Sequence, residues 1–180
     1  GKELCIALIN LLTDGYPTDP RVANLVDNTE IWILPSMNPD GTALGQRYNA
    51  NGYDLNRHFP GSRRGSLASR LANLFMTEIV APCDFGIDLH TGSLHRTNLP
   101  QIRADISDPE IRELAIHFGA GIVIAGKGPD GSLRREAAKA GIPAIIYEAG
   151  EPYRFQEEEI ERGRQGIANV LAYLDMLDLP

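Results

Sequence analysis

Positive charge is scarce in this chain. Lys and Arg number 17 against 24 Asp and Glu, giving a net charge of -7 and a pI near 5.1. A nucleic-acid backbone as partner would demand a concentrated basic surface instead, so none is expected. Long apolar runs are missing too: no stretch reaches the length that crosses a bilayer, and no membrane is expected as partner. The first residues lack the charged-then-apolar pattern of a secretion signal. The two cysteines, Cys5 and Cys83, show neither metal-ligand spacing nor the density of a disulfide scaffold, and both are expected as buried free thiols. There is no internal repeat, low-complexity tract or interdomain linker. The glycine-rich stretch 126–131 lacks the Gly-Lys-Ser/Thr ending that makes a phosphate loop specific.

What is present suffices for one domain over residues 1–180, with 43% hydrophobic content. Leu4, Ala7, Leu8, Leu11 and Leu12 recur at helical spacing and predict an amphipathic helix ending near Asp14-Gly15. Residues 22–26 predict a short helical turn, and 30–35, with Ile31-Trp32-Ile33-Leu34, a buried strand. Ser66 predicts the cap of a helix through Leu67, Leu71, Leu74, Phe75 and Ile79. A strand over 85–89 places His90 just past its end, and a long polar loop is expected to follow. Asp108-Pro109-Glu110 starts a helix to about Gly119, 121–125 reads as a strand, and Ser132 caps a helix to Lys139. A strand over 142–147 and a closing helix over 157–177 complete the alternation. That alternation predicts a three-layer α/β/α sandwich around a mostly parallel, mixed sheet.

The polar loop 36–61 carries Arg47 and Arg57 among turn residues at a strand end, where open α/β sheets bind ligands. Arg57 beside Asn56 suits two-point capture of a carboxylate. The plainer reading of these arginines is a surface ion pair. His90 sits where an imidazole at a strand end would reach a metal in a cleft. Glu148, at the end of an apolar strand, is held at the rim of the sheet, as a base or as a carboxylate that caps a helix or pairs with an arginine. His58, His95 and His117 read as structural. Asp54 is expected to orient Arg57 or a backbone turn, and Arg96 and Arg103 have no assigned partner.

Asn38-Pro39-Asp40-Gly41 followed by Asp54-Leu55-Asn56-Arg57-His58-Phe59-Pro60 resembles the signature of the zinc carboxypeptidase superfamily. Thr18-Asp19-Pro20-Arg21-Val22 and 34–41 are more similar to its carboxypeptidase branch. From Arg47 onward, Asp88-Leu89-His90-Thr91-Gly92-Ser93 and Tyr147-Glu148-Ala149-Gly150-Glu151 are more similar to its succinylglutamate desuccinylase/aspartoacylase branch.

The resemblance implies a zinc-dependent hydrolase that cleaves an amide next to a carboxylate, with a small carboxylate-bearing amide or peptide as substrate. It implies His90 as a zinc ligand, Glu148 as general base, Arg47 as oxyanion stabiliser, and Asn56 and Arg57 as substrate-binding residues. Of Arg134 and Arg135 only one can face the site, and a second substrate carboxylate is given to Arg135. The superfamily's His-x-x-Glu zinc pair occurs nowhere in the sequence, although Gly1-Lys2-Glu3 resembles the Gly-x-Glu that follows it. We therefore expect a sheet without the family's first strands, an incomplete zinc site and impaired activity. The alternatives are a metallocarboxypeptidase acting on peptide C-termini and a catalytically silent domain, either carboxylate-binding or an engineered scaffold. Bare sheet edges also lead us to expect homo-oligomers.

Overall fold

A computed structural model describes residues 1–93 and 96–178. Helix α1 (Lys2–Gly15) is followed by α2 (Pro20–Asn28), whose start is fixed by Pro20 and by the Asp19 carboxylate accepting from Arg21 N at 2.9 Å. In the polar loop, Asn38 caps the short α3 (Pro39–Leu44), which Gly45 ends in a left-handed conformation. A 3₁₀ turn, Leu55–Arg57, follows. Ser66 Oγ accepts from Ser69 N at 3.2 Å and opens α4 (Leu67–Phe75), which widens into a π turn over Met76–Val80. Then come β1 (Gly86–His90), β2 (Asn98–Ala104), α5 (Pro109–Phe118), β3 (Val123–Ala125), α6 (Leu133–Lys139), β4 (Ala144–Gly150) and α7 (Glu157–Tyr173).

The four strands form one sheet in the order β1-β4-β2-β3. β1 runs parallel to β4 and β3 parallel to β2, while β2 and β4 are antiparallel. The result is the expected mixed, mostly parallel sheet flanked by helices. On one face Ile102, Ile145, Tyr147 and Ala149 join Leu4, Ile111, Leu114, Phe118 and Val170 in the main core against α1, α5 and α7. A second, smaller cluster, Leu55, Phe59, Ala72, Met76 and Leu133, ties the 3₁₀ turn, α4 and α6 together. Tight approaches set the helices: a Cβ on Gly166 of α7 would run into the ring of Phe118, and one on Gly163 into Leu4 and Tyr147.

Three expectations are corrected. The segment 30–35 belongs to no strand among the described residues, and Ile31 and Trp32 are 38% and 47% exposed. Its apolar, β-branched composition suits a strand, but a strand needs a neighbour to receive its backbone groups, and none of the described strands pairs with it. The stretch after His90, expected as loop throughout, contains β2. Polar residues and Pro100 disguise it, yet Gln101-Ile102-Arg103-Ala104 alternates with period two and pairs on both sides. Cys5 is buried, whereas Cys83 is only half-buried; both are free thiols.

Candidate functional site

Strand alternation divides the sheet chemically. Side chains two apart share a face, and directly paired residues share it as well. The register sets His90 opposite Glu148, Asp88 opposite Ile146, Gln101 opposite Glu148 and Arg103 opposite Ile146. The face away from the main core therefore carries Asp88, His90, Gln101, Arg103 and Glu148, with Ile146, Ala144 and Ile124 as its apolar members. His90 is the last residue of β1 rather than the first one beyond it.

His90 Nε2 lies 2.8 Å from Asp88 Oδ2. Burial alone would lower the imidazole pKa. The charge and hydrogen bond of Asp88, with the charge of Glu148 behind them, outweigh burial and the opposing charge of Arg47, so the net shift is upward. Glu148 is held by an ion pair with Arg103, Nε against Oε2, without the alignment of a hydrogen bond. The residue that the sequence left without a partner thus grips the candidate base, from the strand that the sequence concealed.

The arginine motif is built as a turn that docks on α6. Asp54 Oδ1 accepts from Asn56 N at 3.0 Å and starts the 3₁₀ turn, while its Oδ2 pairs with Arg47 Nε at 2.9 Å. Asp54 therefore holds a backbone turn, one of its two expected duties, and pairs with Arg47 in place of Arg57. The Asn56 side chain turns to the fold: Oδ1 accepts from Leu133 N at 2.8 Å and caps α6, a duty expected of Ser132, whose hydroxyl instead donates to Pro129 O at 2.8 Å. Phe59 N donates to Gly131 O at 3.0 Å. Gly131, at φ 74°, packs so closely on the Arg57 backbone that no Cβ fits between them. Arg57 is exposed, and its Nη1 donates to the Asn56 carbonyl at 2.6 Å.

The two arginines of α6 part ways. Arg135 turns to Asp130 at 2.8 Å and to the Gly128 carbonyl at 3.0 Å. Arg134 points inward: it is 7% exposed, and its Nε and Nη1 are buried without a hydrogen-bond partner. Of the pair, Arg134 holds the inward position that the sequence reading gave to Arg135. An open cleft of about 2170 Å³ carries Arg47, Asp54, Arg57, His90 and Arg134 in its wall. Glu148, Asn56 and Arg135 lie outside that wall. Glu148 sits behind it on Arg103, Asn56 under α6 and Arg135 on Asp130.

His58 Nδ1 meets the Asp54 carbonyl at 2.7 Å, and its ring stands edge-on to Tyr53. His117 stacks on Tyr173. Both make local packing contacts; His95 lies outside the described residues. Among the described residues no group of three or more His, Cys, Asp or Glu is placed to hold a metal ion. A catalytic zinc normally takes three protein ligands. With His90 alone as candidate, and its Nε2 occupied by Asp88, the described residues do not by themselves fit that ion.

Comparison with known proteins places this geometry among relatives. The family model described as the succinylglutamate desuccinylase/aspartoacylase catalytic domain matches residues 19–174. A succinylglutamate desuccinylase/aspartoacylase from Rhodobacter sphaeroides superposes with a TM-score of 0.72 at 27% identity, over 82% of this chain and 46% of that one. A metallo-carboxypeptidase from Burkholderia cenocepacia superposes with a TM-score of 0.72 at 19% identity, over 96% of this chain and 53% of that one, a likeness of fold. Carboxypeptidase SOL1 of Arabidopsis thaliana is 47% identical over 60 residues, 33% of this chain. The chain spans 12% of the length of that curated relative and about half of each of these two solved structures.

Proposed function

This chain belongs to the succinylglutamate desuccinylase/aspartoacylase catalytic-domain family, and on that premise we propose that it holds the carboxylate-binding side of a hydrolase that cleaves the amide of an N-acyl amino acid. One observation carries the reading. Parallel pairing of β1 and β4 sets His90, the last residue of β1, opposite Glu148 inside β4, beside a cleft that Arg47, Arg57 and Arg134 line.

In this reading Arg57 grips the substrate carboxylate, and Arg134 receives a second one in place of Arg135. Asn56 supports Arg57 from behind. Glu148 takes a proton from the attacking water and returns it to the leaving nitrogen, while Arg47 faces the developing oxyanion. Zinc belongs to the chemistry implied for the family. The residues described in this chain do not complete its site, so carboxylate binding without turnover is the expected behaviour of residues 1–180 alone.

A second reading has its own support in the 47% identity to a carboxypeptidase over 60 residues: the substrate is then a peptide C-terminus. Three measurements test these readings. Calorimetric titration with succinate is expected to show binding that survives EDTA and weakens about tenfold or more in Arg57→Ala. Tight stoichiometric zinc in the unaltered chain would refute the incomplete site. Fusion of a relative's His-x-x-Glu segment ahead of Gly1 is expected to yield hydrolysis of N-acyl amino acids, and release of C-terminal residues from peptides instead would decide for the second reading.

A further inference from the structure

Three charged side chains on the polar side of the sheet stand in an arrangement that substrate binding alone does not explain. Arg134 is buried with two guanidinium nitrogens unpartnered, although it sits within electrostatic reach of three carboxylates. Burial lowers its pKa, the like charge of Arg103 lowers it further, and Asp105, Asp88 and Glu148 act in the opposite sense. A buried guanidinium without a partner is strongly unfavourable, so the nearest mobile carboxylate is drawn to it.

Each neighbouring carboxylate is otherwise engaged. Asp88 bonds His90 at 2.8 Å, and Asp105 accepts from Ser107 Oγ at 2.6 Å. Glu148 is engaged by Arg103 alone among the described side chains. Remove Arg103, and Glu148 is the group with a reason to move.

Resting on the reading above, we infer that Arg103 is a positioning residue for Glu148: it holds the carboxylate on the β2 side, in register with His90, and so keeps Arg134 open for a ligand carboxylate. Arg103 touches no ligand in this scheme. Its loss lets Glu148 pair with Arg134, which closes the anion position from within and draws the candidate base away from its place.

The double substitution separates this from direct binding. Calorimetric titration of the 180-residue chain with succinate is expected to show affinity about tenfold weaker in Arg103→Ala. It recovers in Arg103→Ala/Glu148→Gln, where a neutral amide no longer neutralises Arg134, and Arg103→Lys retains it. Equal weakness in the single and double variants would make Arg103 a ligand contact and overturn the proposal, as would an unchanged affinity in Arg103→Ala. Thermal unfolding of each variant monitors the fold, and Arg103→Met, which keeps the side-chain stem, replaces the alanine variant if that one does not fold. Should the unaltered chain bind no succinate, the hydrolase reading fails by itself. The positioning role is then decided by the NMR signal of Arg134 Nε–H: displaced in the single variant and restored in the double one, it stands; unmoved in the single variant, it falls.

Discussion

The oxygen of the Asn56 side chain accepts the backbone N–H of Leu133, 77 positions further along the chain. A helix leaves its first N–H groups unsatisfied, and a side-chain oxygen supplied there stabilises it by about 1 kcal/mol. Asn56→Ala is therefore expected to lower stability by about 1 kcal/mol in urea unfolding, with Asn56→Asp close to the original. If the alanine variant unfolds at the original midpoint, the capping role is wrong. The motif Asp54-Leu55-Asn56-Arg57 was legible as residues, and so were His90 and Glu148. Their partners were not. A cap supplied from another part of the chain leaves no trace in local spacing, and neither does the choice between Arg134 and Arg135, which depends on how α6 is rotated against the sheet. That Arg103 would meet Glu148 required knowing that β2 exists.

Local chemistry announced most of the elements. Ser66 and the Asp108-Pro109 pair mark helix starts that the structure keeps, and Gly119 at φ 80° ends α5 where the sequence placed its stop, whereas the short turn expected over 22–26 is the longer α2, opened at Pro20. Helices were missed in detail, since α3 lies inside the stretch read as loop and Ser132 does not cap α6, but the larger failures lie with strands. A strand exists only where a neighbour receives its hydrogen bonds, so 30–35 has the composition without the partner, and β2 has partners on both sides despite its polar composition. Packing between elements supplies a sharper test. Ala in place of Gly166 gains up to about 1 kcal/mol of helix propensity, but its methyl meets the ring of Phe118, which is 2% exposed. Overpacking of that kind costs about 1–3 kcal/mol and prevails. Gly166→Ala is expected to lower the urea midpoint; a raised midpoint would show that α5 and α7 yield.

At the level of the whole molecule, the sheet ends in two open borders. Among the described residues β1 pairs only with β4, and β3 only with β2, with all three β3 residues exposed. Open strand edges present backbone groups that a second chain can pair with. Light scattering coupled to size exclusion is expected to give a mass that rises with concentration above 19.7 kDa. Ile124→Lys, a charge on an edge residue that is 41% exposed, should suppress that rise. A constant 19.7 kDa at the highest concentration would count against edge pairing.

The seam between Gly131 and the backbone of Arg57, closed by the Phe59–Gly131 and Asn56–Leu133 hydrogen bonds, has a consequence for selectivity. It welds the turn bearing one guanidinium to the helix bearing the other, so Arg57 and Arg134 cannot drift apart independently. Under the function proposed above, the two cations would act as the jaws of a calliper, and the chain is expected to choose a dianion by the distance between its charged ends rather than by its total charge.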